Sequence, residues 1–376
     1  MNKPSARSLQ VHITGDILWG LVPLPDGQAS SYNVLPETYF PQLKDPSRNF
    51  KLRDLPYSFD FLVENFMDPA HIPFAHHSLQ AKRSDGGPIP MEILTDLRQN
   101  RTHCEVSFKD TIRNRTREGV LSFIAPCYYH FRTRSSASND FKLMLLALVV
   151  PTTPGQCRIL FSVNIPVSIS RFIPKWFEHA LSMRFLESDL WLHEAEIAAR
   201  RSENAFYDSP SIEEQAQRPR GLAGLNYKLM TTSDTACVAW RRWWNAHMLE
   251  IATVVYILFP WLPHYLVCLH SIYRSQSPVF GASKNPALIP KPIQYNRYET
   301  HGKYCIHCKS FLQRGEQLKK YSPLIGLLFI AVGRSVFTKL MGVALYFVLD
   351  NISTRMIRAV NGPNRGEKVS AAQFGN

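Results

Sequence analysis

The stretch Glu64-Asn65-Phe66-Met67-Asp68-Pro69-Ala70-His71-Ile72-Pro73-Phe74-Ala75-His76-His77 governs how the rest of the chain is read. It carries Asp68, His71 and His76 in the spacing D-x2-H-x4-H, inside a segment that starts as a helix at Asp60 and soon meets prolines. Two imidazoles and one carboxylate on one face, with open positions left over, are the usual cage of a non-haem Fe(II) that activates oxygen. On an unbroken helix, residues five apart point about 140° away from each other. His71 and His76 therefore share a metal only if the helix ends or deforms between them. Pro73 supplies the cause, because it lacks an amide donor and disfavours helix in the residue before it. The chain has 13 histidines, so a chance H-x4-H pair is common and spacing alone leaves coincidence open.

The carboxylate has to come from elsewhere. Pro174 to Arg201 is the best-defined helix in the sequence, with Pro174 in its first turn and apolar residues from Trp176 to Leu192 at broadly helical spacing. It offers Glu187, Asp189, Glu194 and Glu196. Asp189 stands among bulky apolar neighbours, where a carboxylate is costly to bury unless it is paired or bound to metal. That makes it the favoured third ligand.

The segments between these two regions are of β type. Thr102–Phe108, Gly119–Ile124, Tyr128–Thr133, Phe141–Val150 and Cys157–Val163 are separated by Gly, Asn and Pro, which predicts an antiparallel sheet. Residues 10–26 read as a strand followed by turns, and 27–56 as loop-rich. A polar loop covers 202–222, and Asp234 to Met248 is an amphipathic stretch with Trp240, Trp243 and Trp244. Strands followed by a long helix make the fold class α+β.

The C-terminal third is more apolar. Ile251–Leu269 is interrupted by prolines and His264, and Arg274–Pro292 reads as a linker. Leu324–Val332 and Leu340–Leu349 are separated by Arg334 and Lys339. Neither region is a clean run of about 20 apolar residues. Each is expected to be a tilted span or an interfacial hairpin with Lys and Arg at the headgroups, or else buried helices of a soluble domain.

The composition, 45% hydrophobic and 19% charged, supports a core and excludes a disordered chain. The formal charge of +13 favours anionic partners. The basic residues are scattered and not interleaved with aromatics, so no nucleic-acid partner is expected. Seven cysteines, with only Cys305 and Cys308 close together, do not make a secreted disulfide framework. The C-x2-C pair has three readings. One is zinc, with His301 or His307 completing part of a site that still lacks ligands. The others are inert thiols and a reversible disulfide whose thiol pKa is lowered by Lys303, Lys309 and His307.

Glu64-Asn65-x2-Asp68-Pro69-x-His71-x4-His76 resembles the mononuclear iron motif of Rieske-type oxygenases of the pheophorbide a oxygenase group. That group includes chlorophyllide a oxygenase and the Rieske protein of the inner-envelope translocon. Gly86-Gly87-Pro88-Ile89, Ala125-Pro126-Cys127, Val150-Pro151-Thr152-Thr153-Pro154-Gly155 and Leu186-Glu187-Ser188-Asp189-Leu190-x-Leu192-His193 carry the same resemblance, as does Arg297-Tyr298-Glu299-Thr300-His301-x3-Cys305-x2-Cys308. The resemblance implies a helix-grip-like catalytic domain. It implies His71, His76 and Asp189 as ligands of a mononuclear Fe(II), Asp68 as the bridge for electrons, Asn65 as a supporting residue, and Cys305–Cys308 as a redox pair open to thioredoxin. It also implies a tetrapyrrole substrate, O2, ferredoxin electrons, a homotrimer, and a plastid membrane of the envelope or thylakoid.

A Rieske [2Fe–2S] cluster is expected of the family, yet no C-x-H with a later C-x2-H occurs, so a missing segment or a partner subunit is expected to supply it. The implied divisions are a remnant at 1–40, an iron domain at 41–248, an apolar insertion and linker at 249–292, a thiol segment at 293–310, and an apolar anchor and tail at 311–376. The rival reading is a catalytically inactive, redox-sensing membrane protein of the same fold.

Overall fold

The computed structural model describes residues 10–14, 17–21, 36–45, 49–125, 127–135, 140–153, 155–164, 172–207, 231–258 and 288–362. Of the polar loop expected over 202–222, residues 202–207 are helical and 208–222 lie outside these residues, as do the C-x-H triplet Cys268-Leu269-His270, most of the 249–292 insertion, most of the 1–40 remnant and the tail beyond 362.

The chain is α+β. Its centre is a seven-stranded antiparallel sheet of β3 (Lys51–Leu55), β4 (Met91–Ile93), β5 (His103–Ile112), β6 (Arg115–Ile124), β7 (Tyr128–Ser135), β8 (Lys142–Thr153) and β9 (Gln156–Val163), in the order β3-β9-β8-β7-β6-β5-β4. From β4 to β9 the order is a meander, and β3 returns to pair beside β9. A separate hairpin of β1 (Gln10–Thr14) and β2 (Ile17–Leu21) precedes it.

The five predicted β-runs all form strands, and the central ones are covered on both faces, since residues 119–123, 128–131 and 146–149 are buried at consecutive positions. Along β5 the buried residues are Cys104, Val106, Phe108 and Asp110, every second position. The β5–β6 turn holds Arg113 and Asn114 at φ 52° and 61°, the left-handed pair that suits a two-residue hairpin. On β6 a side chain at Gly119 would meet the Phe108 ring at 2.2 Å, so only glycine fits there.

One face of the sheet carries the main core. Leu55, Val106, Phe123, Ala147 and Ile159 pack there against Leu62 and Val63 of α1 (Phe59–Phe66), Met183 and Leu186 of α3 (Lys175–Glu187), and Trp240 and Trp243 of α5 (Thr235–Leu258). Two short helical turns follow α1, a 3-10 turn at Pro69–His71 and α2 (Ile72–Ala75). The opposite face holds a smaller cluster around Phe40, Tyr128 and Leu146, where Phe40 stacks on Tyr128 at 4.5 Å.

Two expectations fail locally. The 27–56 stretch contains strand β3, whose sequence Lys-Leu-Arg-Asp-Leu has no apolar run. Its Lys51 and Arg53 are buried because they meet Glu178 at 2.5 Å and Glu187 at 3.1 Å on α3. The Pro174–Arg201 helix is two helices, α3 and α4 (Trp191–Tyr207), broken at Ser188–Leu190. Tight backbone bonds Asp189 N→Leu186 O and Leu190 N→Glu187 O, both 3.2 Å, span the break.

The C-terminal segment forms an antiparallel pair, α6 (Ile306–Val332) and α7 (Val336–Asn361). Small residues let the two backbones approach. A side chain at Gly342 would lie 2.9 Å from the Gly326 carbonyl oxygen. Leu324, Leu328, Val332, Phe337, Leu340 and Phe347 are exposed on the pair. Among the described residues, Val336–Asn361 is the one helix long and apolar enough to cross a membrane, by length and composition.

Candidate metal centre

The break after α1 and the break after α3 face each other. Met67 ends α1, and Asp68 caps the following 3-10 turn by accepting from the Ala70 amide at 2.8 Å. Pro73 then lies within α2, and His76 ends that helix. This second change of direction brings His76 back towards His71, as the spacing required. Their Nε2 atoms are 3.2 Å apart.

Asp189 reaches the same point from the α3–α4 break, with Oδ2 3.5 Å from His76 Nε2. One donor atom from each of His71, His76 and Asp189 falls within 4.8 Å of the others. The other three carboxylates are directed elsewhere. Glu187 meets Arg53 and Arg297, Glu196 accepts from the Ser58 amide at 2.9 Å, and Glu194 meets Lys291 at 3.2 Å.

The hydrogen bonds decide the tautomers. Ser188 donates its hydroxyl hydrogen to the Phe185 carbonyl at 2.6 Å, so it must accept from His76 Nδ1–H at 2.7 Å. His71 Nδ1–H donates to the Asp68 main-chain carbonyl, which can only accept. A ring in this tautomer presents a bare lone pair at Nε2. Two such lone pairs at 3.2 Å repel, and a cation between them removes the conflict.

Asp189 adds the balancing charge. Its Oδ2 accepts from Asn65 Nδ2 at 3.3 Å, while its Oδ1 has no protein partner although the residue is 2% exposed. Burial pushes the Asp189 carboxyl up to about 6. Burial, and then the neighbouring His71, hold His76 down to about 2, so it stays neutral and able to ligate. Phe185 stacks on the His76 ring at 3.8 Å and fixes its plane. The donor set, two imidazoles and one buried carboxylate with an orphaned oxygen, fits a mononuclear Fe(II).

His77 takes no part and accepts from the Arg83 amide at 3.1 Å. A cavity of about 350 Å³ lies alongside, lined by Pro69, Ala70, Pro73, Gly87, Pro88 and Thr111 among others, and none of the three grouped residues lines it. Ser188 and Phe185 were not singled out in the sequence. Ser188 follows a glutamate and precedes Asp189, but nothing local shows that it faces a residue 112 positions earlier.

Cys305 and Cys308 lie apart from this group, at the N-terminus of α6, beside His179 and His301. Both are free thiols. The Cys305 thiol is pulled down first by its hydrogen bond with Cys308, against burial, and then by His179 and His301. Of the basic neighbours expected to do this, Lys303 instead bonds Glu299 at 3.0 Å.

The pheophorbide a oxygenase family model matches residues 123–204, which include Asp189. The protochlorophyllide-dependent translocon component 52 of Arabidopsis thaliana is 27% identical over 252 residues, covering 56% of this chain and 42% of that protein. Flavonoid 8-hydroxylase 2 of Ocimum basilicum is 24% identical over 332 residues, covering 79% and 52%. The chain spans about half the length of these curated relatives. Among solved structures, dicamba monooxygenase bound to dicamba aligns over 65% of this chain and 71% of that one, at 15% identity and a TM-score of 0.43. The chain is similar over residues 123–204 to the pheophorbide a oxygenase family, and over longer stretches to chloroplast oxygenases and translocon components. Among Rieske-type non-haem iron oxygenases it resembles the pheophorbide a oxygenase group, together with the translocon components of that group.

Proposed function

We propose that this chain is the mononuclear iron part of a Rieske-type oxygenase acting on a chlorophyll-derived tetrapyrrole, such as pheophorbide a, in a plastid. The observation that carries the reading is the pair of bare imidazole nitrogens 3.2 Å apart beside Asp189. Fe(II) held there would supply oxygen activation, with electrons drawn from ferredoxin through a [2Fe–2S] Rieske cluster on another segment or subunit.

The chain's own residues have separable tasks. His71, His76 and Asp189 hold the ion, and Ser188 and the Asp68 carbonyl keep both rings in the ligating tautomer. Asn65 donates to Asp189 and keeps its carboxylate aimed inward. Asp68 is the electron bridge, because its main chain is bonded to His71 while its side chain is partly exposed. A homotrimer would bring a neighbour's cluster to that side.

The C-terminal pair is read as an interfacial hairpin on a plastid membrane. Its exposed apolar surface on α6 runs from Leu324 to Val332, about 13 Å at 1.5 Å per residue. That is less than half of a hydrocarbon core about 30 Å thick, so the pair is read as lying along the interface with Arg334 and Lys339, at the connecting turn, level with the headgroups, although α7 by itself is long and apolar enough to cross.

The basil relative, which covers the larger share of the chain, favours a second substrate class, the flavonoids. The test starts from protein purified without oxygen. It is expected to bind about one Fe(II) per chain, with binding lost in His71→Ala, His76→Ala and Asp189→Ala and kept in His77→Ala. Iron retained in all three variants sinks the site. Mixed with a Rieske-bearing relative and ferredoxin, the protein should consume pheophorbide a faster than a flavonoid, and the reverse order moves the substrate class.

A further inference from the structure

We infer that His179, His301, Cys305 and Cys308 form a structural zinc site that fastens the C-terminal hairpin to α3. The C-x2-C pair alone lacked ligands. The fold brings two histidines to it, one 126 residues before Cys305 and one just ahead of it.

Four donor atoms converge. His179 Nδ1 and His301 Nε2 are 3.3 Å apart. Cys305 Sγ is 3.2 Å from His179 Nδ1, and Cys308 Sγ is 3.8 Å from His179 Nδ1 and 3.4 Å from His301 Nε2. A tetrahedral zinc with ordinary bond lengths sets its nitrogen ligands about 3.3 Å apart and nitrogen from sulfur about 3.6 Å apart. The observed edges scatter around these values. Two thiolates with two imidazoles suit zinc, and four protein ligands close the shell, as in structural and not catalytic sites.

The surroundings support a ligand role. His301 Nδ1–H donates to the Leu52 carbonyl at 2.6 Å, which leaves Nε2 as a bare lone pair facing the sulfurs. His179, His301 and Cys308 are each 3% exposed. The compactness also argues against a two-iron cluster here. A Rieske centre puts its cysteine pair and histidine pair on different irons, which would hold the pairs apart. Here one sulfur is nearer to a histidine nitrogen than the two nitrogens are to each other.

The site would sit among other ties between the same two segments. Trp176 of α3 stacks on Phe311 of α6 at 3.7 Å, and Glu187 at the end of α3 meets Arg297. Zinc at His179 would complete the line midway along α3, on the helix that leads into Asp189.

The experiment uses the full chain purified in reducing buffer. The expected result is about one tightly held zinc that persists when His71, His76 and Asp189 are all changed to Ala, which separates it from the iron reading. Cobalt exchange should give tetrahedral visible bands and a thiolate-to-cobalt charge-transfer band, which the His71–His76–Asp189 group has no sulfur to produce. Cys308→Ser should remove the charge-transfer intensity from that sulfur. His179→Ala should weaken zinc at least about a hundredfold, and His179→Cys should restore it, since Cys3His also binds zinc. Circular dichroism checks that each variant is folded. Protein without zinc and without the cobalt band overturns the inference. So does a metal-free Cys305–Cys308 disulfide that thioredoxin reduces, which would return the pair to a thioredoxin-type switch.

Discussion

Glu187 takes the guanidinium of Arg297 on both carboxylate oxygens, at 2.5 and 2.6 Å, two residues before Asp189. Arg53 reaches the same carboxylate from β3 at 3.1 Å. Burial pushes the Glu187 carboxyl up, but Arg297 and Arg53 together outweigh it and hold it below its ordinary value. A carboxylate depressed in the folded state contributes stability above its unfolded pKa of about 4.3, and loses it as pH falls through the folded value. The protein should therefore lose stability below about pH 4. Glu187→Ala, which leaves two buried guanidinium groups facing each other, should cost about 3–5 kcal/mol in urea unfolding. A loss under about 1 kcal/mol would show that the cluster relaxes into water.

Asp189 has the opposite sign. Burial raises it to about 6 in the metal-free protein, so the folded state holds that proton more tightly than the unfolded chain. Its ionisation costs stability as pH rises from about 4 to about 6, and a bound metal must displace the proton below about pH 6. Iron affinity should fall about tenfold per pH unit below about pH 6 and level off above it. Affinity that stays flat to pH 5 would mean Asp189 is not a ligand.

Ser188→Ala removes the acceptor that fixes His76 in its ligating tautomer. Iron affinity should drop about 10–100-fold with the fold intact. Ser188→Thr, which keeps the hydroxyl, should retain most of it. Equal loss in both variants would assign the effect to crowding near Phe185.

Asp68→Asn should keep its iron while turnover with a Rieske-bearing partner falls. Its side chain is not among the three that converge at the centre. Loss of iron in this variant would make Asp68 a ligand.

Phe337→Glu with Leu340→Glu places two charges on the exposed face of α7. Each apolar side chain of this size contributes about 1.5–3 kcal/mol when buried. Binding to vesicles of mixed neutral and anionic lipid should fall by at least about tenfold. Wild-type protein that stays in the supernatant would refute the hairpin reading.

The sequence disclosed features whose cause is local. Pro73 announced the bend between His71 and His76, and β-type runs separated by Gly, Asn and Pro announced β5 to β9. Asp189 stood out because apolar neighbours surround it. Other features depend on partners far along the chain. β3 was read as loop because Lys51 and Arg53 are charged, and their burial makes sense only once Glu178 and Glu187 are known to face them. The break at Ser188–Leu190 has no proline or glycine to mark it. His179 looked like one residue of an amphipathic helix, and nothing nearby points to thiols 126 and 129 positions later.

The bond from His301 to the Leu52 carbonyl joins residues 249 positions apart. A ribosome adding about 5–20 residues per second needs on the order of ten to fifty seconds to make the intervening chain. During that interval β3 can pair with β9, but the polar groups of its outer side and of α3 have not met Arg297 or His301. The nascent sheet then has Lys51 and Arg53 met by Glu178 and Glu187, while the Leu52 carbonyl and the free side of the Glu187 carboxylate wait for His301 and Arg297 to arrive.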